Sequence, residues 1–233
     1  MAYHQLLLDP RTPRAVADFI RRHVDMQFHD VHVMLRLPLP EHELDAGCNF
    51  ASANWLLTLI SGLSTVIYKQ TGDSGDRFKE TLVNYYPWDH EPLHGVKAQE
   101  GAHLLYELFR NPLEHALGVS TERSGSGRNT VIRLQRRNNP LDLNLDLNIV
   151  KGGLSEEQIE NLELSPTRPD YAQATIVKSS GRKDLLVAGL YWGVRRMVYQ
   201  LTSDQNVMAE TANFLSGTML PQQGEYISYA LPI

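Results

Sequence analysis

One cysteine, Cys48, is all this chain has, so no internal disulfide can brace it and a reducing environment suits it. Excess charge is also scarce. A formal net charge of -5 and a pI near 6.0 exclude a wholesale basic surface, so any nucleic-acid contact must come from a local patch. Long unbroken hydrophobic runs are missing too. The longest, Ala53 to Tyr68, is interrupted by Thr58, Ser61, Gly62, Ser64 and Thr65, and reads as too short and too polar to span a bilayer. Met1 to Pro10 lacks a basic segment followed by an apolar core, so no secretory leader is expected. Together these absences lead to the expectation of a soluble, cytoplasmic chain with no membrane partner. There is no Walker-type phosphate loop, Gly-x-Ser-x-Gly elbow, Cys-x-x-Cys pair or dinucleotide fingerprint. No cofactor is expected, and the standard cofactor enzymes are unsupported.

What is present suffices for a globular core. With 42% hydrophobic and 21% charged residues, 233 residues can form one domain, or one domain with an appended subdomain. Thr12-Pro13 pairs an N-cap with a first-turn proline, and Val16, Phe19, Ile20 and Val24 follow at helical spacing, predicting a helix over 13–27. Val31, Val33, Leu35 and Leu37 alternate, predicting a short extended segment. Residues 49–68 predict a helix apolar on most sides, which belongs at the centre of a bundle. Helices over 76–86 and 96–110 follow. Beyond Val119 the chain turns polar and Gly-rich, then switches period. Leu141, Leu143, Leu145, Leu147 and Ile149 alternate with Asp142, Asn144, Asp146 and Asn148, a strong strand signal, with 136–140 as a hairpin connection. Residues 174–178 predict another strand, and helices are expected over 184–201 and 205–215. The fold expected is therefore mainly α, a helical bundle with a small antiparallel β element.

The most informative stretch runs from Leu105 to His115. Pro112 has no N–H to donate and disfavours the α region at Asn111. Asn111-Pro112 therefore reads as an N-cap and first helical position, with one helix ending near Arg110 and another carrying His115 in its first turn. A guanidinium, an amide and an imidazole at such a joint suit work on a phosphodiester, because a helix start attracts anions.

The pattern Arg110-Asn111-Pro112-Leu113-Glu114-His115, after an apolar helix, resembles the Arg-Asn-x-x-x-His motif of the HEPN superfamily (higher eukaryotes and prokaryotes nucleotide-binding). Many catalytic members are metal-independent endoribonucleases. The resemblance implies RNA as substrate and partner. It gives Arg110 the role of steadying the phosphate, His115 that of moving protons, and Asn111 an orienting role. It also implies a symmetric homodimer that brings two Arg–His pairs together. On this reading the domains are a HEPN-like bundle over 1–120, a loop and β-rich insertion over 121–182, two C-terminal helices packing back over 183–217, and an arm over 218–233. A family member that kept the fold without the nuclease would carry the same residues. The alternative is thus a non-catalytic helical module binding a nucleotide, nucleic acid or protein.

Other constellations have bland counterparts. Arg123, Arg128, Arg133, Arg136 and Arg137 could lead RNA toward the motif, or simply balance Asp142 and Asp146 on a solvated surface. Arg195 and Arg196 read as ordinary surface charges. His90-Glu91-Pro92-Leu93-His94 matches the zinc-peptidase pattern literally, but Pro92 between the histidines argues for a loop, and no metal is expected. Among His103, Trp55, Trp88 and Trp192, helical spacing assigns Trp55 and Trp192 to the core and leaves Trp88 as the exposed candidate for base stacking.

Overall fold

Thr12 opens the first helix as its chemistry dictates, its hydroxyl accepting from the Ala15 N–H at 3.2 Å. The computed structural model describes residues 12–36, 48–68, 72–91, 97–111, 147–150, 157, 174–179 and 182–218. Helix α1 (Pro13–Arg36) runs straight through the segment expected to be extended. Val24, Phe28 and Val31, spaced i, i+4 and i+7, are all buried, whereas Val33 is 46% exposed. The helical stripe therefore continues, and the two-residue alternation was coincidental.

Helix α2 (Asn49–Ile67) packs against α1 and, as the chain continues, against α3 (Ser74–Tyr85) and α5 (Val187–Ser203). Its 19 residues are long and apolar enough to cross a membrane, contrary to the reading of the run as too short and too polar. The hydroxyls do not break the run, because Ser61 and Ser64 donate to the Leu57 and Ser61 carbonyls and Thr65 donates to Ser61. Half of this apolar window is nevertheless buried inside the bundle. Trp55 departs from its expected core role and is 43% exposed, since a helix apolar all round does not reveal its inner face by periodicity.

Gly72, at φ 72°, turns the chain into α3, and the Asp73 side chain caps that helix by accepting from the Gly75 and Asp76 N–H groups. A 3₁₀ turn (Trp88–His90) follows. Helix α4 (Ala98–Leu104) then runs into a π turn (Leu105–Arg110). Helix α6 (Gln205–Thr218) closes against α1, α2 and α5.

The β element has order β1-β3-β2, with β1 (Leu147–Val150), β2 (Ile176–Ser179) and β3 (Arg182–Leu186). A small antiparallel pairing is present, but it joins β2 to β3, Ile176 opposite Leu185 and Ser179 opposite Arg182, and not the two halves of the hairpin expected around 136–140. Strand β1 overlaps the end of the alternating leucine run, but it lies parallel to β3, with Leu147 opposite Lys183. The rest of the expected hairpin, 131–146, lies outside the described residues. Residues Asp184 to Leu186 were expected to begin a helix and are instead strand. Leu185, Leu186, Val187 and Ala188 are all buried, so apolar pattern cannot mark where strand gives way to α5.

The result is a mainly α helical bundle. Its centre holds Trp192, Tyr191, Phe28, Phe78 and Phe109, with Phe28 meeting Tyr191 edge-on at 5.4 Å between centroids. Each such ring contributes about 1.5–3 kcal/mol through burial. Gly193 is fixed by the same packing, because a methyl there would land on the Tyr86 hydroxyl.

Candidate functional site

The apolar side of the motif helix behaves as its sequence requires: Leu104, Leu105, Leu108 and Phe109 are buried. This turns Tyr106 and Arg110, four positions apart, onto a common half-buried face. The helix does not stop at Arg110. Asn111 has φ -59° and ψ -50°, and its N–H donates to the Tyr106 carbonyl five residues back. Asn111 is therefore a helical residue and not the N-cap expected from the proline. A proline after a helix supplies no N–H and crowds the preceding turn. Widening the ladder from four residues to five is a way to stay helical up to it.

The Arg110 guanidinium is held on three sides. Its Nε donates to the Ser61 hydroxyl of α2 at 3.2 Å, and one terminal nitrogen donates to the Asn111 side-chain oxygen at 3.1 Å. Its carbon lies 5.5 Å from the centre of the Tyr106 ring. Lys79 of α3 approaches the same ring, 5.4 Å from its centre. The Asp76 carboxylate, 3.0 Å from the Lys79 ammonium, raises the lysine above its ordinary value, with Glu107 adding to the effect. Gly75 makes room for the ring, since a side chain there would come within 2.5 Å of it. The site is thus a tyrosine ring approached by two cations, Lys79 paired with Asp76 and Arg110 donating to Ser61 and Asn111.

Arg110 and Asn111 are the motif residues on view. Pro112, His115, Arg123, Arg128, Arg133, Arg136 and Arg137 lie outside the described residues. Sequence reasoning missed Ser61, Tyr106 and Lys79. Tyr106 was legible from its i−4 spacing to Arg110, whereas Ser61 carries no local signal because it arrives from another helix.

The zinc-peptidase lookalike divides similarly. His94 lies outside the described residues, while Glu91 is engaged: its carboxylate accepts from the Thr175 N–H at 3.0 Å and from the Thr175 hydroxyl at 2.6 Å. Among the described residues no group of three His, Cys, Asp or Glu side chains is placed to hold a metal. Trp88 is half-buried and not an open stacking platform. Its Nε1 donates to the Leu82 carbonyl at 2.8 Å, and its ring covers Gly101. Trp192 is buried as expected.

Apart from the motif, a cavity of ≈ 650 Å³ lies between α1 and α2, walled by Phe19, Ile20, His23, Trp55 and Leu59, with Gly62 opening into it. Arg110 is not among its walls. No known protein family, curated protein or solved structure matches this chain.

Proposed function

We propose that the chain is a metal-independent endoribonuclease of HEPN type, cleaving RNA by transesterification. The observation that carries this reading is the oriented Arg110 guanidinium on a π turn. Such turns are rare and concentrate at functional sites. In this mechanism the RNA 2′-oxygen attacks phosphorus and the bond to the 5′-oxygen breaks, leaving a 2′,3′-cyclic phosphate and a 5′-hydroxyl. His115 takes the 2′-hydroxyl proton or protonates the leaving oxygen, since an ordinary histidine, with a pKa of ~6.5, can do either. Arg110 holds the phosphate oxygens, most strongly as charge develops in the transition state. Asn111 acts through Arg110, to whose guanidinium it is hydrogen-bonded, and is a positioning residue. Two chains in a symmetric homodimer supply two Arg–His pairs to a shared cleft in the cytoplasm.

The test is labelled RNA incubated with purified protein in EDTA, beside Arg110→Ala and His115→Ala. Cleavage should survive chelation and fall at least about 100-fold in both variants. Equal activity in all three proteins rejects the nuclease.

A second reading rests on the same contacts. Arg110 bridges the π turn to α2 through Ser61, as an interhelical tie would in a non-catalytic module that binds a nucleotide, nucleic acid or protein. If so, Arg110→Ala lowers stability without changing any RNA turnover.

A further inference from the structure

A second pair of cations converges on an exposed ring, this time between α1 and α5. The carbon of the Arg21 guanidinium lies 5.5 Å from the centre of Tyr199, and that of Arg196 lies 5.0 Å from it. Tyr199 is 55% exposed. Arg21 is held firmly: its Nε donates to the Thr202 hydroxyl at 2.7 Å and a terminal nitrogen donates to the Ser203 hydroxyl at 3.2 Å. Those hydroxyls have committed their own protons to the Val198 and Tyr199 carbonyls, both at 2.7 Å, so they face Arg21 as pure acceptors. A guanidinium has five N–H groups. Two are used here, and the others have no partner among the described residues. Arg196 makes no hydrogen bond or ion pair among the described residues. Among the described residues no acid forms an ion pair with either arginine. Asp18 faces Arg14 at 4.0 Å, and Asp25 forms no ion pair with Arg21 or Arg196.

We propose that Arg21, Tyr199 and Arg196 form a docking site for single-stranded RNA. Two like charges gathered on one ring, without a carboxylate between them, are complementary to a partner carrying repeated anions. Phosphates accept from the guanidiniums, and bases stack on the planar cation–tyrosine surface. An acidic peptide would need the arginines but not the ring, and an anionic membrane would need only the charge. An overall charge of -5 means that the strand is attracted by this patch and not by the surface at large. The proposal rests on the RNA-directed reading for the identity of the ligand, while using residues separate from Arg110 and His115.

The test is fluorescence anisotropy with a labelled 2′-O-methyl oligonucleotide, which binds but offers no 2′-hydroxyl for cleavage. Wild type should bind. Tyr199→Ala should weaken binding about tenfold. Arg196→Gln should make the salt dependence shallower by about 0.7 in log–log slope, and Arg196→Lys should restore that slope. Arg21→Gln serves as a further arm, with circular dichroism to verify folding. Binding that all the variants retain in full overturns the patch and leaves the nuclease reading standing. Patch-dependent binding with no cleavage of ordinary RNA overturns the nuclease and keeps the patch. Absence of any binding overturns the patch, as does equal affinity for polyglutamate or capture only by phosphatidylserine vesicles.

Discussion

Single side chains in this protein are controlled more by what lies across the bundle than by their neighbours in sequence, and Tyr85 illustrates it. It is half-buried near the end of α3, and burial, followed by the nearby Asp204 carboxylate and by Tyr68, pushes its phenol up to about 12 from an ordinary 10.0. Below pH 10 the group is neutral whether the chain is folded or unfolded. Between about pH 10 and 12 the unfolded chain releases the proton first, so stability is lost as pH rises through that window. Tyr85→Phe should flatten this alkaline decline, read as melting temperature against pH from 9 to 12. An unchanged decline would remove Tyr85 as its source. Tyr68, also raised chiefly by burial, should leave a residual slope.

At the scale of elements, the small sheet is fastened to the helices by one polar chain. The Thr175 hydroxyl gives its single proton to Glu91, so the Tyr86 hydroxyl must be the donor in the hydrogen bond those two share. Thr175 is fully buried, and its carbonyl accepts from the Leu186 N–H at 2.9 Å, extending the pairing of β2 with β3. Thr175→Val keeps the shape and the backbone N–H that Glu91 accepts from, but it removes one hydrogen bond from the phenol and one, charge-assisted, from the carboxylate. It should cost about 1–3 kcal/mol, measured by urea unfolding. A loss below a few tenths of a kcal/mol would mean that water replaces the hydroxyl without penalty.

None of this tie could be read from sequence, because its members sit 84 and 89 positions apart. Local signals fared better. Thr12-Pro13 marked the start of α1, and the leucine alternation overlapped β1. The core side of α4 and the π turn after it was visible in Leu104, Leu105, Leu108 and Phe109. What failed were a switch to extended chain expected at Val31 that does not occur, the real switch from strand to helix at Leu186 inside an apolar run, and the effect of Pro112 on Asn111. A wide turn is a tertiary compromise that no propensity records. Of the candidate site, Arg110 and its Tyr106 neighbour were legible. Ser61 and Lys79 were not, since other helices deliver them.

For the whole molecule, the proposed chemistry sets a requirement on assembly. One chain offers one Arg–His pair, so a shared cleft ties activity to a homodimer. Analytical ultracentrifugation across a dilution series should find specific RNA cleavage falling in step with the dimer fraction. Constant specific activity in a population that sediments as monomer would break the link. Arg110→Ala and Ser61→Ala separate the scales further. Both release the hydrogen bond between the π turn and α2, but only the first removes the cation, so a catalytic role predicts that Ser61→Ala keeps most of the turnover.

Tyr86 joins more of the molecule than any motif residue. Its ring packs on Trp88 at a 42° tilt with 4.5 Å between centroids, its hydroxyl reaches Thr175, and the missing side chain of Gly193 leaves space for it against α5. Through this phenol the bundle reaches Thr175, beside the apolar contacts that Ile176 and Leu185 make in the same core. With strand residues inside the helical core, exchange of the β3 amides with solvent should follow the same opening as those of α3 and α5; β3 amides that exchange well before the helices would separate the two.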